Sequence, residues 1–192
     1  MIREFKPIIK RKFENFRAKV LFLRSGSILI NPYLFSKCKY IQVGKSVRIK
    51  DFARIECYDN FYGTTLSPHL EIEDGVIINN SFTCFVANTV HIGKNSIFAN
   101  NVMIASENHG MNPESDLPYH AQPLITKPVF IGENCWIGAN VSILCGARIG
   151  NNCIVGANSV VNKTFPDYCI IAGNPGKIIK KYNFENHRWE KC

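Results

Sequence analysis

Residues 131–166 read IGENCW (Ile131–Trp136), IGANVS (Ile137–Ser142), ILCGAR (Ile143–Arg148), IGNNCI (Ile149–Ile154), VGANSV (Val155–Val160) and VNKTFP (Val161–Pro166). The period is six, unbroken. Each hexad opens with Ile or Val. Position two is usually Gly, position four often Asn, and position five small until the last hexad, where it is Phe165. Six is a multiple of two, so position one keeps one face of a strand. It does not match 3.6, so a helix would smear the Ile/Val positions around its surface. Position five and the next position one are two apart, so both can point inward. Gly and Asn supply residues that tolerate left-handed backbone at a corner. Each hexad is therefore a short strand plus a turn, and stacked coils of three bury a column of Ile and Val.

The same pattern recurs earlier with interruptions. VGKSVR, IKDFAR and IECYDN run from Val43, IEDGVI, INNSFT and CFVANT from Ile72, and IGKNSI, FANNVM and IASENH from Ile92. In threes, these make about five coils of eighteen residues. Residues 61–71 separate the first two coils, and residues 110–130 separate the third from the fourth. A stretch as long as the second is usually functional. Its prolines at 113, 118, 123 and 128 make it an extended excursion rather than a helix.

The chain has 192 residues, 46% hydrophobic and 20% charged, which excludes collagen-like and disordered classes. The length suits one domain with appendages. No run of about 18 apolar residues marks a transmembrane helix. The start, MIREFKPIIKRKFENF, is too charged for a secretory signal, so a cytoplasmic location is the expectation. Eight cysteines without CxxC or zinc-finger spacing fit small buried hydrophobes in a reducing compartment. Cys135, Cys145 and Cys153 sit within repeats, where burial makes poor nucleophiles.

Net charge is +8, of which residues 1–24 carry +6 (eight Lys/Arg against Glu4 and Glu14). Concentration on one terminal segment argues against a nucleic-acid-binding fold. Within that segment Ile2, Phe5, Ile9, Phe13, Phe16, Val20 and Leu23 follow three- and four-residue spacing, an amphipathic helix. Two compatible roles present themselves: a cap on the open end of the solenoid, and peripheral association with a membrane surface. The expected organisation is a helix and cap over 1–40, the solenoid over 41–166 with its excursion at about 107–130, and a tail over 167–192. The tail crosses back over the solenoid and carries the basic segment KIIKKY.

The run from Lys127 to Tyr182 resembles the hexapeptide-repeat acyltransferases, in particular the galactoside, maltose and polysaccharide O-acetyltransferase branch. The resemblance covers roughly residues 41–182 and rests on NHG, QPL, KPVxIG, CWIG, VGANSVVNK and AGNPGK in that order. It implies an all-β solenoid, a left-handed parallel β-helix, assembled as a homotrimer with active sites between neighbouring prisms. Acetyl-CoA is the implied co-substrate, with no metal. The reaction is acetyl transfer to a hydroxyl of a sugar or surface-polysaccharide precursor, in a ternary complex without a Cys acyl-enzyme.

His109, in SENHGM, occupies the place of the family's catalytic histidine. Imidazole titrates near neutral pH and suits a general base acting on a hydroxyl. Glu107, two residues upstream, is a candidate to orient it. By the same resemblance Ala139 and Ala157 offer backbone to coenzyme A, and the Ala139 amide is the candidate oxyanion donor. Trp136, outward by alternation, lines the pantetheine cleft. Asn162 and Lys163 match a Thr-Lys pair, with Asn a departure. Lys177 and Lys180 match basic residues that meet phosphates and adenine. Asn79, Asn80 and Ser81 align with a segment that reads sugar hydroxyls, and His120 is a further acceptor candidate. His69, His91 and His187 read as surface residues.

Three alternatives share the repeat. An N-acetyltransferase acting on an amino sugar differs only in its nucleophile. A non-catalytic scaffold would leave NHG and AGNPGK without a role. A zinc lyase of the gamma carbonic anhydrase type needs three His ligands, two of them close together around the excursion, and there His109 is followed only by His120, eleven residues on. A cytoplasmic location at the inner membrane face fits a precursor acceptor.

Overall fold

The computed structural model describes the backbone of residues 2–192 and the side chains of residues 9–192. Three parallel sheets wrap around one core. The first stacks Ile28–Leu29, Arg48–Ile49, Ile77–Ile78, Ile97–Phe98, Trp136–Ile137, Ile154–Val155 and Cys169–Ala172. The second stacks Leu34–Ser36, Arg54–Cys57, Thr83–Val86, Met103–Ala105, Ser142–Ile143 and Val160–Val161. The third stacks Ile41–Val43, His69–Ile72, Thr89–Ile92, Val129–Ile131, Arg148–Ile149 and Thr164–Phe165. The chain visits the sheets in turn, so each circuit is one rung.

Register explains the hexad. Ile49, Ile78, Phe98, Ile137 and Val155 lie opposite one another in the first sheet. Ile55, Cys84, Ile104, Ile143 and Val161 do so in the second. Val43, Ile72, Ile92, Ile131 and Ile149 do so in the third. All are buried except Val43, which is half-buried. A slip of one residue would turn the whole column outward, so burial locks the register.

Positions two and four do different jobs, which corrects their joint assignment to left-handed backbone. Position four is left-handed throughout the clearest repeats: Asn95, Asn101, Asn134, Asn140, Asn152 and Asn158 all have φ between 53° and 60°. Their side chains form ladders between rungs, as in Asn134 Nδ2 to Asn152 Oδ1 at 2.7 Å and Asn140 Nδ2 to Asn158 Oδ1 at 3.0 Å. Position two serves close approach instead. A Cβ on Gly93 would lie 2.5 Å from the Gly132 carbonyl carbon in the next rung. Rungs stack at the strand spacing of about 4.8 Å, which leaves no room for a side chain aimed along the stack.

The solenoid extends beyond the five coils marked by the repeats. Strands Ile28–Leu29 and Leu34–Ser36 precede Val43, inside the expected cap, and Cys169–Ala172 follows the last hexad. Their sequences, without Gly and Asn in phase, hide the period while keeping Leu29, Phe35 and Ile171 in the core. The tail adds strands Lys177–Asn183 and Arg188–Lys191 antiparallel at the edge of the first sheet.

Helix α1 (Ile2–Arg24) covers the other end. Its docking face is Asn15, Ala18 and Phe22. Ala18 and Phe22 are fully buried, and Phe22 meets Phe35 edge to face at 6.1 Å. Asn15 donates to the Pro32 carbonyl and accepts from the Phe35 amide, both at 2.9 Å, so it pairs backbone groups that the first rung would leave open. The apolar stripe read from the sequence lies elsewhere: Ile9, Phe13, Phe16 and Leu23 are 64%, 59%, 65% and 74% exposed. Ile2 and Phe5 lie outside the described side chains. Among the described residues no helix is long and apolar enough to cross a membrane.

Cys57, Cys84, Cys135, Cys153 and Cys169 are buried inside the prism, and none of the eight cysteines forms a disulfide. Cys145 is only half-buried, against expectation, because it stands at position three, on a corner, whereas Cys135 and Cys153 stand at inward position five. Hydrogen bonding to Cys153 and burial hold Cys135 and Cys169 above the ordinary thiol range.

Two substitutions test these assignments by thermal unfolding. Phe22→Ala is expected to cost about 3–5 kcal/mol, the range for a buried Phe. Gly93→Ala is expected to cost about 1–3 kcal/mol by overpacking against backbone, and an unchanged melting temperature would refute the close-approach reading.

Candidate active site

Both interruptions of the repeat leave the prism at the corner between the second and third sheets. The first contains an antiparallel pair, Asn60–Phe61 with Thr64–Thr65. The second opens on Glu107–Asn108, paired antiparallel with Ile125–Thr126 as the chain returns. Ser106, fully buried, anchors the departure. Its hydroxyl accepts the amides of Ala87 and Asn88 in the rung below, both at 3.0 Å. His109 follows at the root of the excursion, exposed, with its amide donated to Asn108 Oδ1 at 3.1 Å.

Gln122 fixes this root. It is 3% exposed, and its amide group bonds the Asn112 carbonyl at 2.9 Å, the Leu117 carbonyl at 3.1 Å and the Asn112 amide at 3.0 Å. A Cβ on Gly110 would meet the Gln122 side chain at 2.6 Å, so glycine beside His109 lets the staple close. Thus QPL and NHG, separated in sequence, are one packed unit.

A cavity of about 110 Å³ lies beside His109, lined by Tyr58, Phe61, Glu107, His109 and Leu124. The Phe61 ring stands 5.7 Å from the imidazole, centroid to centroid. Burial raises the Glu107 carboxyl above the ordinary carboxylate range, and His109 draws it back in part. Burial likewise pushes the Tyr58 phenol up to about 12. Tyr58, Phe61, Leu124, Ser106 and Gln122 carry no sequence signal of their own roles; only QPL was visible as a motif.

A second group occupies the corner between the first and second sheets. Position three there is Asn80, Asn100, Ala139 and Ala157 in successive rungs. Asn100 Oδ1 accepts the Asn80 amide at 3.2 Å. Other corners do the same: Asn151 Oδ1 takes the Glu133 amide at 2.9 Å, and Asp167 Oδ1 takes the Asn151 amide at 2.8 Å. Alanine cannot. The Gly138 and Asn140 amides are bonded to backbone at 2.8 and 3.0 Å, while that of Ala139 has no partner among the described residues. The Ala157 amide is in the same state between the bonded amides of Gly156 and Asn158. The Asn100 amide, which Ala139 leaves uncapped, has no partner among the described residues either, so three stacked donors are open to a ligand.

The remaining candidates are dispersed. Trp136 points outward from the first sheet, 55% exposed. Lys177, exposed, and Lys180, half-buried, lie on the strand that extends that sheet. Asn162 and Lys163 are exposed at the second-to-third-sheet corner. Asn79 and Asn80 are half-buried at the opposite corner of the second sheet from His109. Asn79 donates to the Phe98 carbonyl at 2.8 Å, and Ser81 is left-handed at φ 60°. His120 lies on a 3-10 turn at the excursion's far end. Neither this set nor the alanine amides line the His109 cavity. His91 and His69 are half-buried rather than surface residues, and His91 Nδ1 stands 3.2 Å from Glu71. Glu71, Glu73 and His91 cluster on the third sheet, away from His109.

Residues 128–163 match the family described as bacterial transferase hexapeptide (six repeats). Over that segment the chain carries the hexapeptide repeat that the family model describes. It is 41% identical over 125 residues to WbbJ of Escherichia coli K12, whose name assigns it to lipopolysaccharide biosynthesis as an O-acetyl transferase. That match covers 62% of this chain and 64% of WbbJ, and the chain spans less than two thirds of the curated relatives it matches first. Among solved structures, the hexapeptide-repeat acetyltransferase VCA0836 of Vibrio cholerae matches at 26% identity and TM-score 0.54, over 68% of this chain and 71% of that one. A point mutant of AntD, an N-acyltransferase from Bacillus cereus solved with dTDP-4-amino-4,6-dideoxyglucose and coenzyme A, matches at 20% identity and TM-score 0.66, over 90% of each chain. At that identity it shows a shared fold.

Glu107 offers a pH test. Its carboxyl is raised in the folded protein, so above the ordinary carboxylate range the folded state holds more protons than the unfolded one, and stability falls as pH rises through that window. Glu107→Gln is therefore expected to melt higher than the wild type at neutral pH and equally near the ordinary carboxyl pKa of about 4. A gap that does not shrink on acidification would refute the buried-charge assignment.

Proposed function

We propose that this chain is an acetyl-CoA-dependent O-acetyltransferase, working as a homotrimer of left-handed β-helices, that acetylates a hydroxyl of a sugar or surface-polysaccharide precursor. The observation that carries the proposal is the run of open backbone donors at Asn100, Ala139 and Ala157, a backbone ready for coenzyme A, in a chain whose NHG histidine is held at a stapled corner. The similarity to WbbJ supports the carbohydrate class.

The chemistry balances without a covalent enzyme intermediate. The acceptor oxygen attacks the thioester carbonyl while His109 takes its proton. The Ala139 amide steadies the negative charge on the carbonyl oxygen. Collapse breaks the carbon–sulfur bond, and the imidazolium returns the proton to the departing thiolate. The products are an acetyl ester and free coenzyme A. Glu107, half-buried beside the imidazole, favours its charged form at the moment it holds the proton. Trp136, Asn162, Lys163, Lys177 and Lys180 would hold the coenzyme A arm and head, and Asn79, Asn80, Ser81 and His120 the acceptor.

Within one chain, His109 and the alanine amides occupy different corners, so the site needs a second copy. The first sheet gives it a seat. Its outward column is Ile77, Ile97, Trp136 and Ile154, an apolar stripe on a face that otherwise meets water. Bringing that face against a neighbour's His109 corner would close the cleft. The likeness to AntD keeps N-acyl transfer to an amino sugar as a second reading. A precursor acceptor places the work at the cytoplasmic membrane face.

Two measurements check the proposal. Acetyl-CoA turnover, read as free thiol over a panel of sugars and amino sugars, is expected to depend on acceptor and to fall at least about a hundredfold in His109→Ala. Activity retained by that variant removes the base. Ala157→Asn restores the side chain that caps the amide below it. It is expected to keep the melting temperature and lower kcat by about 10²–10³, the cost of a lost oxyanion donor.

A further inference from the structure

Cavities larger than the one beside His109 lie along α1, far from it. One, of about 540 Å³, runs between the helix and the first rung and is lined by Arg11, Lys12 and Lys19 over Phe16, Tyr33 and Phe52. Another, of about 390 Å³, flanks the opposite side with Arg17, Arg24 and Lys39 over Phe13 and Leu21. Between them stands the exposed ridge of Ile9, Phe13, Phe16 and Leu23. Residues two apart on a helix lie about 200° apart, so a ridge containing Phe16 points away from the docking face containing Ala18. The solenoid already has its cap, and the ridge contributes nothing to it.

We propose that this face of α1 docks the protein on an anionic phospholipid bilayer, with the ridge in the interface and the flanking cations on lipid phosphates. Charge selects the occupant. Lys10, Arg11, Lys12, Arg17, Lys19 and Arg24 are all exposed, and Glu14, the one acidic residue among positions 9–24, is half-buried and bonded to Arg17 at 3.3 Å. Large apolar side chains set between basic ones match the layered chemistry of a bilayer surface. A second copy on this face would oppose like charges in any isologous contact. Nucleic acid would use the cations and leave four bulky apolar side chains in water.

Geometry gives the docking a use. His109 follows the fourth strand of the second sheet, three rung spacings, or about 14 Å, from the capped end. With the helix thickness of about 10 Å, the site stands roughly 25 Å above the bilayer. A headgroup-linked glycan of a few units reaches that far, whereas a bare lipid headgroup does not. The docking itself stands apart from the acetyl-transfer reading.

The test is co-sedimentation of the full chain with vesicles of phosphatidylcholine, alone or mixed with phosphatidylglycerol. Expected is at least about tenfold stronger binding to the anionic vesicles, weakened by salt. The doubly substituted Phe13→Glu/Phe16→Glu chain should lose at least about tenfold of that binding while keeping its melting temperature and its mass in solution. A Phe13→Trp chain should show a blue-shifted emission on anionic vesicles only. The proposal fails if the anionic vesicles bind no more protein than neutral ones. It fails equally if the glutamate variant binds as the wild type does. A drop in that variant's solution mass, or capture by DNA but not vesicles, also overturns it by giving the face another partner.

Discussion

Stacking at one strand spacing, with one aliphatic side chain per hexad pointing inward, is the constraint on which every other feature depends. Parallel strands of two to four residues make few hydrogen bonds each and gain stability only when the column Ile78, Phe98, Ile137, Val155 is continuous through the rungs. That continuity fixes register, and register fixes what each corner residue meets. Gly93 faces backbone, Asn134 faces Asn152, and Asn100 faces the amide of Asn80.

Function enters where this regularity is broken in one of two ways. Insertions at the second-to-third-sheet corner put Phe61 and His109 in contact, although each stands at the start of its own interruption of the repeat. Substitutions do the opposite: at the first-to-second-sheet corner, Ala139 and Ala157 keep the backbone path and delete the side chain that would cap the amide below. The first device adds groups and the second exposes them. Both cost local stability, in the unpaired amides and in the half-buried carboxyl of Glu107, and both are tolerable because the column beneath them is intact.

The amphipathic helix shows how a correct periodicity can be given to the wrong surface. Spacing identified the ridge of Ile9, Phe13, Phe16 and Leu23, and a cap was the natural use for it. The end of a solenoid, however, presents unpaired backbone as well as apolar side chains, and Asn15 answers the backbone while Ala18 lets the helix approach. A polar residue and a small one make a better cap than a row of large aromatics, and they leave no mark in an apolar count. The ends of the solenoid escaped notice for a related reason. Leu29 and Ile171 keep the inward position, but without Gly and Asn in phase around them the period is silent.

The sequence by itself determined the repeat, the inward column, the coils between Val43 and Pro166, the two places where the chain leaves them, and the histidine at one of those places. These are local matters, set by side-chain alternation and by which residues accept a left-handed corner. Tertiary structure alone decided that the two departures converge, that Gln122 staples the loop beside His109, that Cys145 lies on a corner, and that the helix turns its aromatic ridge to the outside. Each of these depends on which rung sits above which, and that is a property of the stack rather than of any hexad within it.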